Sequence, residues 1–170
     1  MAVGDLHAAA VELLEAAEEA LALTAAEAPA RVFVSDGPPA FDCTVDQLTV
    51  HAAAVGEAAT FAGGAWGDEG FRGQNRPAVI TPVLVVTALR CVPVPGNSGQ
   101  PPSVAAMEAA GLMLLEDAWA LWNHITAKRV QGELGEVCKA MFRDGGVPIN
   151  NQGGVGGWQF TYRFEMRGGL

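Results

Sequence analysis

The alternation near the C-terminal end constrains the fold more than any other feature. Trp158, Phe160, Tyr162, Phe164 and Met166 alternate with Gln159, Thr161, Arg163, Glu165 and Arg167. Five apolar–polar pairs at period two describe a β-strand with one face against a core and the other turned away. Aromatic rings in a row on one face need a helical layer across them to leave water. The row is therefore read as core rather than as a stacking platform for nucleic acid.

Two segments can supply that layer. Residues 5–27 carry Leu6, Ala10, Leu13, Leu14, Ala17 and Leu21 at helical spacing, with Glu12, Glu15 and Glu19 on the other side. Asp5 is a candidate cap, and Pro29 marks the end of the element. Residues 103–128 form the strongest helix signal, opened by Ser103 as cap. Its core stripe is read as Val104, Met107, Leu114, Ala118, Leu121, Trp122 and Ile125. Leu112, Leu115 and Trp119 extend the apolar surface over most of the circumference. Such a helix is either deeply buried or shared with a neighbouring subunit, and in a chain of this size sharing is the preferred reading.

The intervening segments read mainly as strands and turns. Arg31 to Val34 is a short strand, followed by a turn at Asp36-Gly37-Pro38-Pro39. Residues 41–54 read as a half-buried strand, with Leu48, Val50 and Ala52 on one face and Gln47, Thr49 and His51 on the other. Residues 79–92 are apolar on both faces and read as a central strand, with Pro82 at a bulge or an edge near its start. Antiparallel pairing of these two strands would bring Cys43 near Cys91. Between them, residues 55–77 read as a long loop or hairpin tip carrying Trp66, Phe71, Arg72 and Arg76. Residues 93–102 are a Pro/Gly linker. Residues 132–144 fit a strand or a helical turn equally, and 145–157 read as a flexible Gly/Asn loop. Within it, Gly153 to Gly157 precedes a strand and so reads as a hinge or close backbone contact, not a phosphate cradle.

These elements predict a single α/β domain of the α+β type over residues 1–170. Its sheet is mixed or antiparallel with about four strands, flanked by two main helices, with the long loop or hairpin at 55–77.

Charge and cysteine usage exclude several function classes. The chain holds 19 acids against 10 Lys and Arg, a net charge of −9. Residues 1–85 contain 12 acids and three bases, whereas residues 86–170 contain seven of each, so the whole excess lies in the first half. An acidic chain without a basic stripe is poorly suited to gripping DNA by its phosphates. Cys43, Cys91 and Cys138 lack CxxC spacing and form neither a disulfide framework nor a zinc site; Cys43 and Cys91 are expected as buried thiols. No apolar run is long enough for a membrane span, and Glu12, Glu15, Glu18 and Glu19 interrupt any signal-peptide core. A reducing cytoplasm is the expected place of synthesis.

No motif for metal, nucleotide or acyl chemistry occurs. His7, His51 and His124 stand far apart. Cys43 or Cys91 with His51 is the single nucleophile–base combination considered. Glu116 and Asp117 are adjacent on a helix and point in different directions, which does not make a paired-carboxylate site. The sequence therefore predicts neither a catalytic set nor a cofactor or metal, and favours an interaction or assembly protein.

Four stretches carry a resemblance: FDCTVDQLTV (Phe41 to Val50), RCVPVPG followed by PP (Arg90 to Pro102), DAWALWN (Asp117 to Asn123) and GGVGGWQFTYRF (Gly153 to Phe164). In this order and spacing, over about residues 5–167, the chain resembles tail terminator proteins of long-tailed phages, especially those of actinobacterial hosts. The 30 Ala and 21 Gly residues agree with a GC-rich genome. The resemblance implies a small α/β fold assembled as a six-membered ring on the head-proximal end of the tail tube. Such a ring would stop tube polymerisation and offer a surface to a head-completion or connector protein. DNA would pass through the bore without sequence-specific binding, with the acidic half of the chain facing it. The protein would be assembled in the host cytoplasm and end in the virion. The expected subunit or partner contacts are Leu115, Trp119 and Trp122 on the long helix, with Trp66, Phe71 and Arg72 in the loop. The alternatives are another neck protein, a small Cys/His enzyme, and a regulatory module that docks a partner helix.

Overall fold

Among the residues that the computed structural model describes (3–41, 43–58, 79–96, 99–134 and 138–167), two helices lie against one sheet. The helices are α1 (Val3–Leu21) and α2 (Val104–Gln131). The strands are β1 (Arg31–Ser35), β2 (Gln47–Ala58), β3 (Val79–Cys91), β4 (Cys138–Gln152) and β5 (Val155–Arg167). They form a single mixed sheet in the order β1-β2-β3-β5-β4, so the fold is α+β with five strands rather than about four. Only β1 runs parallel to its neighbour β2; every other pairing is antiparallel.

The additional strand is β4. Residues 138–152 are extended, so the ambiguous segment 132–144 is strand from Cys138 onward, with 135–137 outside the described residues, and the strand replaces the flexible loop expected from Gly145 to Gln152. Gly153 and Gly154, with φ of 60° and 87°, make the two-residue turn between β4 and β5, and Gln152 pairs with Val155 across it. Two successive positive φ values match the twist of a tight hairpin, and glycine adopts them without steric cost.

Helix α1 is shorter than the 5–27 span expected from its apolar spacing, because its last turn closes on itself. Ala22, Leu23 and Thr24 donate backbone bonds to Glu18, Ala20 and Leu21, and the Thr24 hydroxyl also caps the Leu21 carbonyl at 2.8 Å. Ala9, Ala10, Leu13, Ala16, Ala17, Ala20 and Leu21 are all buried. The small Ala side chains let the helix lie close to the sheet while Glu15, Glu18 and Glu19 face water.

The core lies between the helices and one sheet face. Leu48 and Val50 of β2, Leu84, Val86 and Ala88 of β3, Met141 of β4, and Phe160, Tyr162 and Phe164 of β5 meet the α1 stripe and Leu121 and Ile125 of α2. Trp158 packs at the margin of this cluster, as the alternation at 158–167 predicts. Pro82 pairs with Val55, close to a register shift between Ala52 and Ala54, so the irregularity expected there falls on the partner strand.

The opposite face of β2 is not half-buried as its polar residues suggest. Gln47, Thr49 and His51 are at most 4% exposed, as is Thr87 of β3. Strand β2 is an interior strand, between β1 and β3, and both of its faces are buried over residues 47–51.

Candidate assembly surface

Helix α2 is held by its second half. Ser103 caps it, its hydroxyl accepting from the Ala106 N–H at 3.2 Å, and Gly132 in the left-handed region ends it. The Glu133 N–H returns to the Lys128 carbonyl at 2.9 Å, which closes the terminal turn. Over these 28 residues only Asp117, Leu121 and Ile125 are buried, one turn apart on one side. From Val104 to Glu116 no side chain of the helix is buried. The core stripe expected from spacing is therefore correct for Leu121 and Ile125, with Ala118 and Trp122 packed at its edge and Leu114 half-buried beside Gly156, and wrong at Val104 and Met107. Val104 and Met107 are exposed, at 74% and 47%.

The outward side of α2 is apolar. Leu112, Leu115 and Trp119 recur at intervals of three and four residues and are 63%, 59% and 69% exposed. Glu108 and Glu116 border them and are also exposed. Two expected contact residues, Leu115 and Trp119, thus share one open face. Trp122 sits elsewhere, half-buried with its ring 6.5 Å from that of Phe160 and the Arg143 guanidinium stacked over it. Arg143 also donates to the Trp122 carbonyl at 3.0 Å and to the Thr126 hydroxyl. Trp66, Phe71 and Arg72 lie outside the described residues, as does most of the 55–77 loop.

A buried ion pair fixes the angle of this surface to the sheet. Arg90, near the end of β3, is 1% exposed and faces the helices. Its Nε donates to Asp117 Oδ2 at 2.7 Å and its Nη2 to Asp117 Oδ1 at 3.1 Å, a two-pronged contact with α2. Its Nη1 reaches the Glu27 carbonyl at 2.6 Å and Asp46 Oδ2 at 3.1 Å. Asp46 in turn accepts the Cys91 N–H at 2.8 Å. Burial opposes the Arg90 charge, but the bonds from Asp117 and Asp46 outweigh it and hold the group above its ordinary value. One side chain thereby joins β3, α2 and the connections on both sides of β1. Adjacency to Glu116 says nothing of this joint, because the partner of Asp117 lies 27 positions away on β3. The available signal was an Arg inside an apolar strand and an Asp on an apolar helix, since charges in such places need each other.

At the far end of α2, Glu19 of α1 accepts from Lys128 at 2.5 Å and from His124 at 3.1 Å. These groups are partly exposed, and Lys128 and His124 hold the Glu19 carboxyl below its ordinary value.

The residues considered for thiol chemistry are not assembled with a base. His51 pairs with Val85, six residues before Cys91 on the same strand, which sets them about 20 Å apart. Cys43 and Cys91 do come together, as antiparallel pairing of β2 and β3 predicts, though Cys43 is exposed and Cys91 only partly covered rather than both buried. Cys43 sits on the connection before β2, beyond the reach of the sheet's cover. Among the described residues, no group of three His, Cys, Asp or Glu side chains is placed to hold a metal ion. No described helix is long and apolar enough to cross a membrane.

No protein-family model matches the sequence, and no curated protein matches it.

Proposed function

We propose that this chain is a structural subunit of a long-tailed phage, a tail terminator that closes into a homo-oligomeric ring on the head-proximal end of the tail tube. The observation that carries this reading is the open apolar face of α2, Leu112, Leu115 and Trp119, on a helix with no fully buried side chain before Asp117. A ring needs two different faces on every subunit, one meeting the other on the next copy, and this helix supplies one of them. The outer edge of β4 is a weaker candidate for self-pairing. Its pairing with β5 shifts register in three places, and Pro148 removes a backbone donor.

In this reading closure of the ring ends tube growth without any reaction. The partners are further copies of the chain, the tail tube protein, and a head-completion or connector protein. DNA passes through the bore without being read. The six-membered size and the place in the virion rest on the ordered sequence resemblance.

Sedimentation of the full chain, alone and with tail tube protein, tests the proposal. The expected result is a closed ring of about six copies, formed at least on the tube, as ring closure by a heterologous face requires. Trp119→Glu and Leu115→Glu are expected to keep the monomer's circular dichroism and thermal transition while abolishing the ring. A chain that stays monomeric in the presence of tube, or variants that assemble normally, would overturn it.

A further inference from the structure

Cys43 lies on the connection before β2 and Cys91 ends β3, and the fold brings both to the corner beside the Gly154–Val155 turn, where each thiol senses the other. Cys91 ends β3, where its N–H is held by Asp46 and its backbone is paired with Val155. The next residue, Val92, donates to the Gly154 carbonyl at 2.8 Å. Cys43 approaches the same corner from the other side: its Sγ lies 3.6 Å from where a side chain on Gly154 would begin. The Cys43 thiol thus lies against the glycine turn between β4 and β5, beside the backbone that pairs with Cys91. Cys43 is exposed and open to a reagent, while Cys91 is partly covered behind it.

We propose that Cys43 and Cys91 form a reversible dithiol–disulfide couple which, when oxidised, fastens the connection before β2 to the end of β3. This inference stands apart from the ring reading, since a monomer and a ring carry the same pair. The oxidant is a low-molecular-weight disulfide, RSSR. The exposed Cys43 thiolate attacks one of its sulfurs, forming a mixed disulfide and releasing RS⁻. The Cys91 thiolate then attacks Cys43 Sγ, forming the protein disulfide and releasing the second RS⁻. The two thiol protons end on two RSH molecules, so the protein loses two hydrogens and the oxidant gains them. Burial, with the neighbouring Cys43 thiol and Asp46, pushes the Cys91 thiol up to about 12. The closing step is therefore expected to quicken as pH rises.

The test exposes the native full chain to oxidised glutathione, alkylates the remaining thiols and maps the peptides by mass. The expected product is a Cys43–Cys91 cross-link, with Cys138 still alkylated as a thiol. Closing a loop of this length is expected to raise the melting temperature by about 10 °C, reversed by dithiothreitol. Cys43→Ser and Cys91→Ser each abolish the cross-link and the shift; with Cys91→Ser, Cys43 accumulates as the glutathione adduct. A stable Cys43–glutathione adduct in the wild type, a link involving Cys138, or a cross-link that forms only after denaturation would each overturn the proposal.

Discussion

Arg90 is a charge placed where water cannot reach it, and its stability depends on its partners staying present. Removing Asp117 leaves the guanidinium buried with only Asp46, 29% exposed, and the Glu27 carbonyl. Asp117→Ala is expected to cost about 3–5 kcal/mol in urea unfolding. Replacing both partners, as Arg90→Met with Asp117→Leu, is expected to cost less than Asp117→Ala alone, because no uncompensated charge remains. His51 presents the neutral version of the same problem. Burial lowers its pKa below the ordinary 6.5, and its Nδ1 has no hydrogen-bond partner among the described residues. The unfolded chain therefore takes up the proton first. Stability is full above pH 6.5 and is lost as pH falls through the depressed value. Unfolding followed from pH 8 to pH 5 should show this slope, and His51→Gln should flatten it.

At the level of elements, what was legible followed from periodicity and what was missed followed from context. Helix α1 and strand β5 carry unbroken periods, and Ala10, Leu13, Leu14, Ala17, Leu21, Phe160, Tyr162 and Phe164 lie in the core as those patterns assign them, with Leu6 and Trp158 at its margin. Strand β4 hides itself: Gly145, Gly146, Asn150 and Asn151 are turn formers, and an edge strand with register shifts tolerates them. For α2 the period indicates which side is apolar, but not where along the helix the sheet stops supporting it. The Arg90–Asp117 joint unites residues 27 positions apart: each charge is visible as an exception in its own apolar segment, but local pattern does not name its partner. Among the glycines, the approach is closest where β5 pairs with β3. A methyl group on Gly157 would collide with the Ala88 carbonyl, a backbone atom with no rotamer to change. Gly157→Ala is therefore expected to destabilise the protein by about 1–3 kcal/mol or more in denaturant titration. Trp122→Ala removes the ring beneath Arg143 and beside Phe160 and is expected to cost about 3 kcal/mol. Trp119→Ala, on the open face, should leave monomer stability within about 0.5 kcal/mol.

For the whole molecule, the two helices play unequal parts. Helix α1 lies along the sheet and closes the core, with Glu15, Glu18 and Glu19 outward, so part of the acidic excess of the first half forms one face. Helix α2, about 42 Å long, has all its fully buried side chains from Asp117 onward. Its backbone is continuous, but its coupling to global unfolding is not. Amide hydrogen exchange should divide it near Asp117. In the isolated subunit, amides before that point exchange through local fraying, while those around Leu121 and Ile125 exchange only when the core opens. A partner seated on Leu112, Leu115 and Trp119 would slow the first half selectively. Protection that is uniform along the helix in the free subunit would count against this division. The helix that builds the core can therefore also report its own occupancy: its first half exchanges at one rate when free and at another when covered.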